Sequence, residues 1–564
     1  MFNFKSLNNV FLRLILFVAI LLSYAIYSLA LFTQCKGYYT YEDLFGPLSE
    51  SFIMVLSLSS LLILSLTYLL IARSDKVSEI LLLLIFILVV SSKHILPDIA
   101  DSYYSQNFYD AGGHMRRGAF VTLTGHSDPG VDRYFDLQPA FFWFTAVFIN
   151  IAYGVPTSPS DPIFRFLIKW FHVIALVLYI PIVYMLFRKY ELRGKEVFLA
   201  LFLFFTLNFH RFHYAAQTYA SALFWLLLAM LPDIVRNRDM KNFFIALPVL
   251  TSTVFVHEGV TVFMVITLLS SLAALLSSRQ LRSTLSLTST LFTYLLLIWF
   301  LYLLYISNFT FSQFVNIFVN VINRYLTEVI EVTSKGLTET EIISAALWRA
   351  WQPWADVVRF KAAYMAIIIL TVVASTIWMY KITRDEIYKL RAFIILGISI
   401  FLGAVAVVLG GAGYIERIFE LLLPFIAITL VETTKFSKRY VVLRKTVTLL
   451  MVCLIIVTPF VFFSGRNFQS ITVSEDHAKE FLRTYTQTIA GIYVVGIKVR
   501  SAFGPLRTSS MISSNTIYAL YHHDFIQALY YVVGNITKLE RYVNELKLAC
   551  NVIYSNPTSQ LIQC

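Results

Sequence analysis

The chain has 564 residues, 58% of them hydrophobic and only 14% charged, with a mean hydropathy of +0.71 and a formal charge of +12. Soluble domains are nearer half apolar and a quarter charged, so a soluble globular protein is excluded and a polytopic membrane protein is expected. The positive charge is no sign of nucleic-acid binding, because the basic residues stand in short clusters between apolar runs, where cytoplasmic anchors are placed.

The first apolar run, 10–32, is too long for a signal-peptide core and lacks a small-residue cleavage site, so it is read as a membrane span. Runs near the ~20 residues that cross a bilayer follow at 52–72, 80–97, 163–187, 196–209, 214–235, 242–256 and 258–277. Further runs lie at 286–306, 361–381, 392–410, 417–433 and 446–464, which makes thirteen spans.

Lys and Arg cluster in every second gap: Arg73 and Lys76; Arg188, Lys189, Arg193 and Lys195; Arg236, Arg238 and Lys241; Arg279 and Arg282. Lys381, Arg384, Lys389 and Arg391 continue the series, and Lys435, Lys438, Arg439, Arg444 and Lys445 close it. The positive-inside rule makes these gaps and the N-terminus cytoplasmic and the C-terminus external, in a multi-pass protein of the plasma membrane.

Pro139 to Tyr153 tests that scheme. As a helix it reaches only about 22 Å, too short to cross. Counted as a span, it would put every later basic cluster outside. It is therefore expected to lie in the outer interface, its aromatic rings at headgroup depth. One outer loop then runs over 93–162 and another over 307–360, within a transmembrane domain 1–464.

From about 465 the composition becomes ordinary, and 465–564 is expected to form a small extracytoplasmic α/β domain. SEDHAKEFLRTYTQT has amphipathic helical spacing, and IAGIYVVGIKV is strand-like. NVIYSNPTSQLI has two β-rich arms around a Ser-Asn-Pro turn, a hairpin pattern. Cys550 and Cys564 stand symmetrically about Pro557 and are expected to bridge; four cysteines are too few for a disulfide scaffold or a zinc cluster.

The remaining ionisable groups collect at the outer face. The first loop holds Asp98, Asp101, Asp110, His114, Arg116 and Arg117; later outer gaps hold His210, Arg211 and His213, then His257 and Glu258, then Glu416 and Arg417. A carboxylate there can take a proton from an incoming hydroxyl or amine. Carboxylates with a histidine could also hold a divalent cation (Mg, Mn or Zn) against a phosphate. Guanidinium groups bind phosphate by paired hydrogen bonds, which suits Arg417, Arg116, Arg117 and Arg211. Together they describe chemistry on a phosphate-linked substrate at a membrane surface.

The order Asp101–Tyr103, His114–Met115, Gly118, Tyr134 and Gln138–Pro139–Ala140–Phe141–Phe142–Trp143 resembles the first outer loop of GT-C membrane glycosyltransferases. That group includes protein O-mannosyltransferases, lipid A aminoarabinose transferases and oligosaccharyltransferases. Arg417 in ERIFELLLPFIAI is similar to the family's Arg-led late span, and CNVIYSNPTSQLI is similar to the ending of many members' outer domains. The resemblance implies a helical transmembrane fold with juxtamembrane helices. It also implies transfer of a sugar from a polyprenyl- or dolichyl-phosphate donor to a protein, glycan or lipid acceptor, usually with inversion. The family's loop acid would be Asp101, with Asp98 as the alternative and Asp110 close by. His114, Tyr134, His257, Glu258 and Glu416 would contact substrate. The sequence has no Asp-x-Asp and no WWDYG-like motif, which points away from oligosaccharyltransferases.

Plainer roles compete at each position. An outward Asp is often a solvated helix cap, and His257–Glu258 could be a polar span end. His210, Arg211 and His213 could snorkel at the interface, and Trp348, Trp351 and Trp354 could belong to an aromatic belt rather than stack on a sugar. HEGVT lacks the second histidine of a zinc protease, and GGAG at 410–413 lacks the Lys-Ser/Thr of a phosphate loop. A transporter, or a non-catalytic receptor or scaffold, are the alternative functions. A transporter would be expected to carry ionisable residues in mid-membrane and an inverted repeat.

Overall fold

A computed structural model describes residues 4–34, 52–72, 75–100, 108–128, 135, 138–156, 161–208, 214–277, 284–307, 356–382, 386–409, 412–436, 441–463, 492–495, 517–521, 551–556 and 559–563, with four isolated positions between 312 and 323. Helices α1 (Phe4–Gln34), α2 (Phe52–Ile71) and α3 (Lys76–His94) begin the bundle. Three helices follow at one of its ends: α4 (Leu96–Ala100), α5 (Phe108–Thr124) and α6 (Pro139–Ala152). The bundle resumes with α7 (Pro162–Lys189), α8 (Lys195–Leu207), α9 (Ala216–Asn237), α10 (Met240–Val256), α11 (Glu258–Ser277) and α12 (Leu285–Tyr305). It closes with α13 (Asp356–Ile382), α14 (Glu386–Leu409), α15 (Ala412–Phe436) and α16 (Val441–Phe463).

Each expected span falls on a helix, and eight of the described helices are long and apolar enough to cross a membrane. This is a multi-pass helical membrane protein. Helix α8 is the exception to simple span logic. With 13 residues it is about 20 Å long, yet it is buried on all sides from Leu199 to Leu207, so neighbouring helices rather than lipid surround it. Apolar side chains turned to the exterior, such as Phe11, Leu14, Val18 and Leu22 of α1, suit a lipid surface rather than water.

Ion pairs gather at one end of the bundle. Arg13 of α1 pairs with Asp75 at 3.1 Å, Lys189 with Asp233 at 2.5 Å, and Arg236 with Glu191 at 3.0 Å. Arg391 of α14 is buried against Glu432 of α15 and lies 4.6 Å over the Tyr388 ring. Asp75 caps α3 through the Ser78 N–H, and that bond, with help from Arg13, holds its carboxyl below the usual carboxylate range.

Lys195 at the start of α8 donates to the Ala72 carbonyl at 3.0 Å, so the end of α2 and the start of α8 share this end. The chain therefore crosses an even number of times between them, and α6 could cross only if α5 did too. Helix α5 carries Asp110, Arg116 and Arg117 and is not apolar enough for that. Helix α6, at 14 residues, stays at the opposite end. Its Phe141, Phe142, Thr145, Ala146 and Ile149 are buried, while Trp143, Val147 and Ile151 are exposed.

In the C-terminal part, β1 (Ile492–Val495), β2 (Ile517–Tyr521), β3 (Asn551–Asn556) and β4 (Ser559–Gln563) form a sheet of order β1-β2-β4-β3. β1 and β2 run parallel, and β4 is antiparallel to both β2 and β3. IYVV within IAGIYVVGIKV is the strand β1, and NVIYSNPTSQLI forms the β3–β4 hairpin. The SEDHAKEFLRTYTQT helix, Cys550 and Cys564 lie outside the described residues.

Candidate functional site

The end opposite the ion pairs is organised by a lysine. Lys93, in the last turn of α3, is 1% exposed and donates to the carbonyls of Phe205 (2.8 Å), Thr206 (2.7 Å) and Asn208 (3.1 Å). The final carbonyls of a helix have no partner within it, and the macrodipole makes that end negative. An ammonium with three N–H donors satisfies both requirements at the end of α8. His94 adds an edge contact to Phe205, with ring centroids 6.2 Å apart. Two chain exits are thereby held together. One continues into α4, which carries Asp98, and towards Asp101; the other continues from Asn208 towards His210 and Arg211. Asp98 is placed on α4 by its backbone, whereas Asp101, Tyr134, His210, Arg211 and His213 lie outside the described residues.

Helix α5 carries the next group. Asp110, His114 and Arg117 are spaced i, i+4 and i+7, which sets them on one face, with Arg116 beside it. His114 is 6% exposed and packs against two rings of α6, Phe141 at 5.7 Å and Phe142 at 6.1 Å between centroids. Arg116 and Arg117 are half-buried, and Arg117 Nη1 lies 3.7 Å from the point where a Gly113 Cβ would stand.

The glycine of the Met115-x-x-Gly118 turn has a steric cause. A Cβ on Gly118 would stand 2.8 Å from the Tyr214 hydroxyl and 3.0 Å from the Thr145 methyl. Tyr214 is bonded to the Thr145 hydroxyl and lies 4.9 Å from Phe141 and 5.2 Å from Phe171, ring to ring. This tyrosine ends the NFHRFHY stretch, so it ties that stretch to both α5 and α6. The Tyr153 hydroxyl, just past α6, is held above the usual phenol range by its hydrogen bond to Asp161, which caps α7.

His257 and Glu258 form the turn between α10 and α11, and α10 packs against α6. His257 Nδ1 accepts from the Val260 N–H at 3.3 Å, an N-terminal cap for α11 that requires Nδ1 to be unprotonated. Glu258 stands in the first turn of α11, where the helix dipole favours a carboxylate. The turn gives both residues a structural role, whatever else they contact.

Helix α15 brings Glu416 and Arg417 to the same end by its backbone, and it packs against α8 and α13. Glu420, one turn further in, is 1% exposed and accepts from Gln217 Nε2 of α9 at 2.9 Å. Glu420 thus buries a carboxylate near the outer end of the bundle, as the Arg391–Glu432 pair does near the other end. The signal for Glu420 was its spacing, four residues after Glu416 inside an otherwise apolar run. Lys93 and Tyr214 were also missed as organising residues, and no local pattern marks either. Among the described residues, no three His, Cys, Asp or Glu side chains come together as a metal site would need.

No family model matches this sequence, and no curated protein matches it. Among solved structures, the chain is similar to the oligosaccharyltransferase of Archaeoglobus fulgidus, crystallised tethered with an acceptor peptide containing the NVT sequon via a disulfide bond. The two are 13% identical with a TM-score of 0.48, over 76% of this chain and 63% of that one, so this chain spans less than two thirds of that enzyme's length. Function has to be argued from the residues.

Proposed function

We propose that the protein is a membrane glycosyltransferase of the GT-C type, moving a sugar from a polyprenyl- or dolichyl-phosphate donor to a protein, glycan or lipid acceptor at the outer membrane face. One observation carries the proposal. The helix that carries Asp98, helix α5 with Asp110, His114 and Arg117 in its sequence, and the start of α15 with Glu416 and Arg417 all belong to the end of the bundle remote from the ion pairs. In the reaction, a loop carboxylate, Asp101 or its neighbours Asp98 and Asp110, takes the proton from the acceptor hydroxyl or amine. The acceptor attacks the anomeric carbon, the bond from that carbon to the phosphate oxygen breaks, and the prenyl phosphate leaves on the opposite face. Configuration inverts. Arg417, with Arg116, Arg117 and Arg211, neutralises the departing phosphate. His114, Tyr134, His257, Glu258 and Glu416 line the substrate path.

A divalent cation enters this scheme only through the loop carboxylates. Loss of transfer on chelation, with recovery on adding Mg²⁺ or Mn²⁺, would assign it a part. Retained transfer would remove it.

The test is binding and transfer by the purified protein with a radiolabelled prenyl-phosphate hexose. Asp101→Asn keeps size and should cut transfer by about 100-fold or more if that residue is the base. Full transfer in this variant moves the role to Asp98 or Asp110, and absence of any donor binding by the wild type refutes the enzyme. A transporter is the second reading, favoured by the buried Glu420; it predicts movement of a solute into vesicles and no transfer.

A further inference from the structure

Helix α15 contains Pro424. A proline inside a helix lacks the N–H that would bond the carbonyl four residues back, here that of Glu420, and its ring crowds the same turn. Inside a membrane, freed backbone groups must find partners on neighbouring helices. Helix α9 reaches this turn, at groups beside that carbonyl rather than at the carbonyl itself. Trp225 Nε1–H donates to the Leu421 carbonyl at 3.3 Å, and Gln217 Nε2–H donates to the Glu420 carboxylate at 2.9 Å. Gln217 and Trp225 are two turns apart on one face of α9, about 12 Å, yet their side chains converge on consecutive residues of α15. Both are buried, as are Glu420 and Tyr179, whose hydroxyl donates to the Thr218 carbonyl beside them.

This grip falls on the turn where α15 is weakest. N-terminal to it, the helix carries Glu416 and Arg417, four and three residues before Glu420, so the three share a face. A buried carboxylate is costly, and an apolar residue of similar volume would serve packing alone as well or better. A buried acceptor that engages the proline turn indicates a directional role.

We infer that Glu420 is a positioning residue: with Gln217 and Trp225 it sets the direction of the first turns of α15, and so the place of Arg417 in the site. This rests on the proposal that Arg417 clamps the donor phosphate. What the strut requires of residue 420 is a hydrogen-bond acceptor, not a charge. An amide oxygen there would serve, whereas a residue acting by its charge or its proton could not be replaced by glutamine.

The experiment uses the full chain in detergent, with its four native cysteines replaced and spin labels at residues 412 on α15 and 151 on α6. Label distances and binding of farnesyl phosphate are measured for wild type, Glu420→Gln, Glu420→Leu, Gln217→Leu and Trp225→Phe. The leucine variants should broaden the distance distribution and weaken binding by about 10-fold or more, in keeping with the cost of small displacements in a site. Glu420→Gln should keep the wild-type distances and bind within about threefold, since its amide oxygen still accepts from Gln217. Trp225→Phe, the mildest change, should broaden the distances if the leucine variants do not fold. Unchanged distances in the folded Leu and Phe variants overturn the inference, and so does a Glu420→Gln variant as impaired as Glu420→Leu. Distances that shift as expected in a protein whose wild type binds no farnesyl phosphate support the strut and refute the phosphate clamp, which separates the two failures.

Discussion

Replacing Lys93 with methionine keeps the length and flexibility of the side chain and removes the ammonium. Three carbonyls, those of Phe205, Thr206 and Asn208, then lose their donor in a region that water does not reach. Each buried acceptor left without a donor costs about 1–3 kcal/mol. Against that, the variant no longer has to keep an ammonium out of water, which relieves a penalty of several kcal/mol. The lysine charge also loses its place at a helix C-terminus, worth up to about 2 kcal/mol in partly buried positions. Polar contacts within membranes average less than in water-soluble cores, near ~0.6 kcal/mol in the best-measured case. The net expectation is a loss of about 2–5 kcal/mol, from the stranded carbonyls less the relieved desolvation. Lys93→Arg should fall between, because a planar guanidinium cannot place three donors around one point. Equilibrium unfolding in mixed micelles, followed by tryptophan fluorescence and circular dichroism, measures the difference. A Lys93→Met protein within about 0.5 kcal/mol of wild type, the range of a neutral surface change, would show that the capping is not what holds α3 to α8.

Gly118→Ala should destabilise by about 1–3 kcal/mol, since a methyl must displace the Tyr214 hydroxyl. Tyr214→Phe in the same chain should recover part of the loss, because Thr145 keeps its bond to the Phe141 carbonyl; an additive double mutant would locate the clash elsewhere. Single cysteines at Ser127 and Ser509 should both react with an impermeant thiol reagent in intact cells, and labelling of only one breaks the proposed topology. Cys550 and Cys564 should form a disulfide, since the pair Asn551↔Gln563 is the last described step of a register that, continued by one residue, joins them. Non-reducing peptide mapping that finds the C-terminal peptide unlinked to its Cys550 partner rules this out.

The hairpin shows how closely sequence and structure are interlocked. Symmetry about Pro557 matched Cys550 with Cys564, but the turn itself pairs Asn556 with Ser559, one residue out of that symmetry. A register shift between Val552 and Tyr554 restores it. The register that leads towards the expected pairing is therefore set at Asn551↔Gln563 by a bulge that spacing does not reveal.

What the sequence by itself determined is what depends on the chain locally. The helices at the apolar runs, the short α6 with its Pro139 start, strand β1 and the β3–β4 hairpin follow from length, hydropathy and period, which neighbouring residues set among themselves. The candidate acids and arginines were legible because charge is conspicuous in a chain that is only 14% charged. Only the tertiary structure decided what holds those groups together. Lys93 meets its acceptors 112 to 115 residues away, Glu420 meets Gln217 across 203, and Tyr214 meets Thr145 across 69. Each of these is a single polar side chain whose partner stands on another element: last-turn carbonyls for Lys93, an amide for Glu420 and a hydroxyl for Tyr214. Hydrophobic periodicity says which face of a helix is buried but not which orphaned donor or acceptor it will face, so these contacts exist only once the helices are packed.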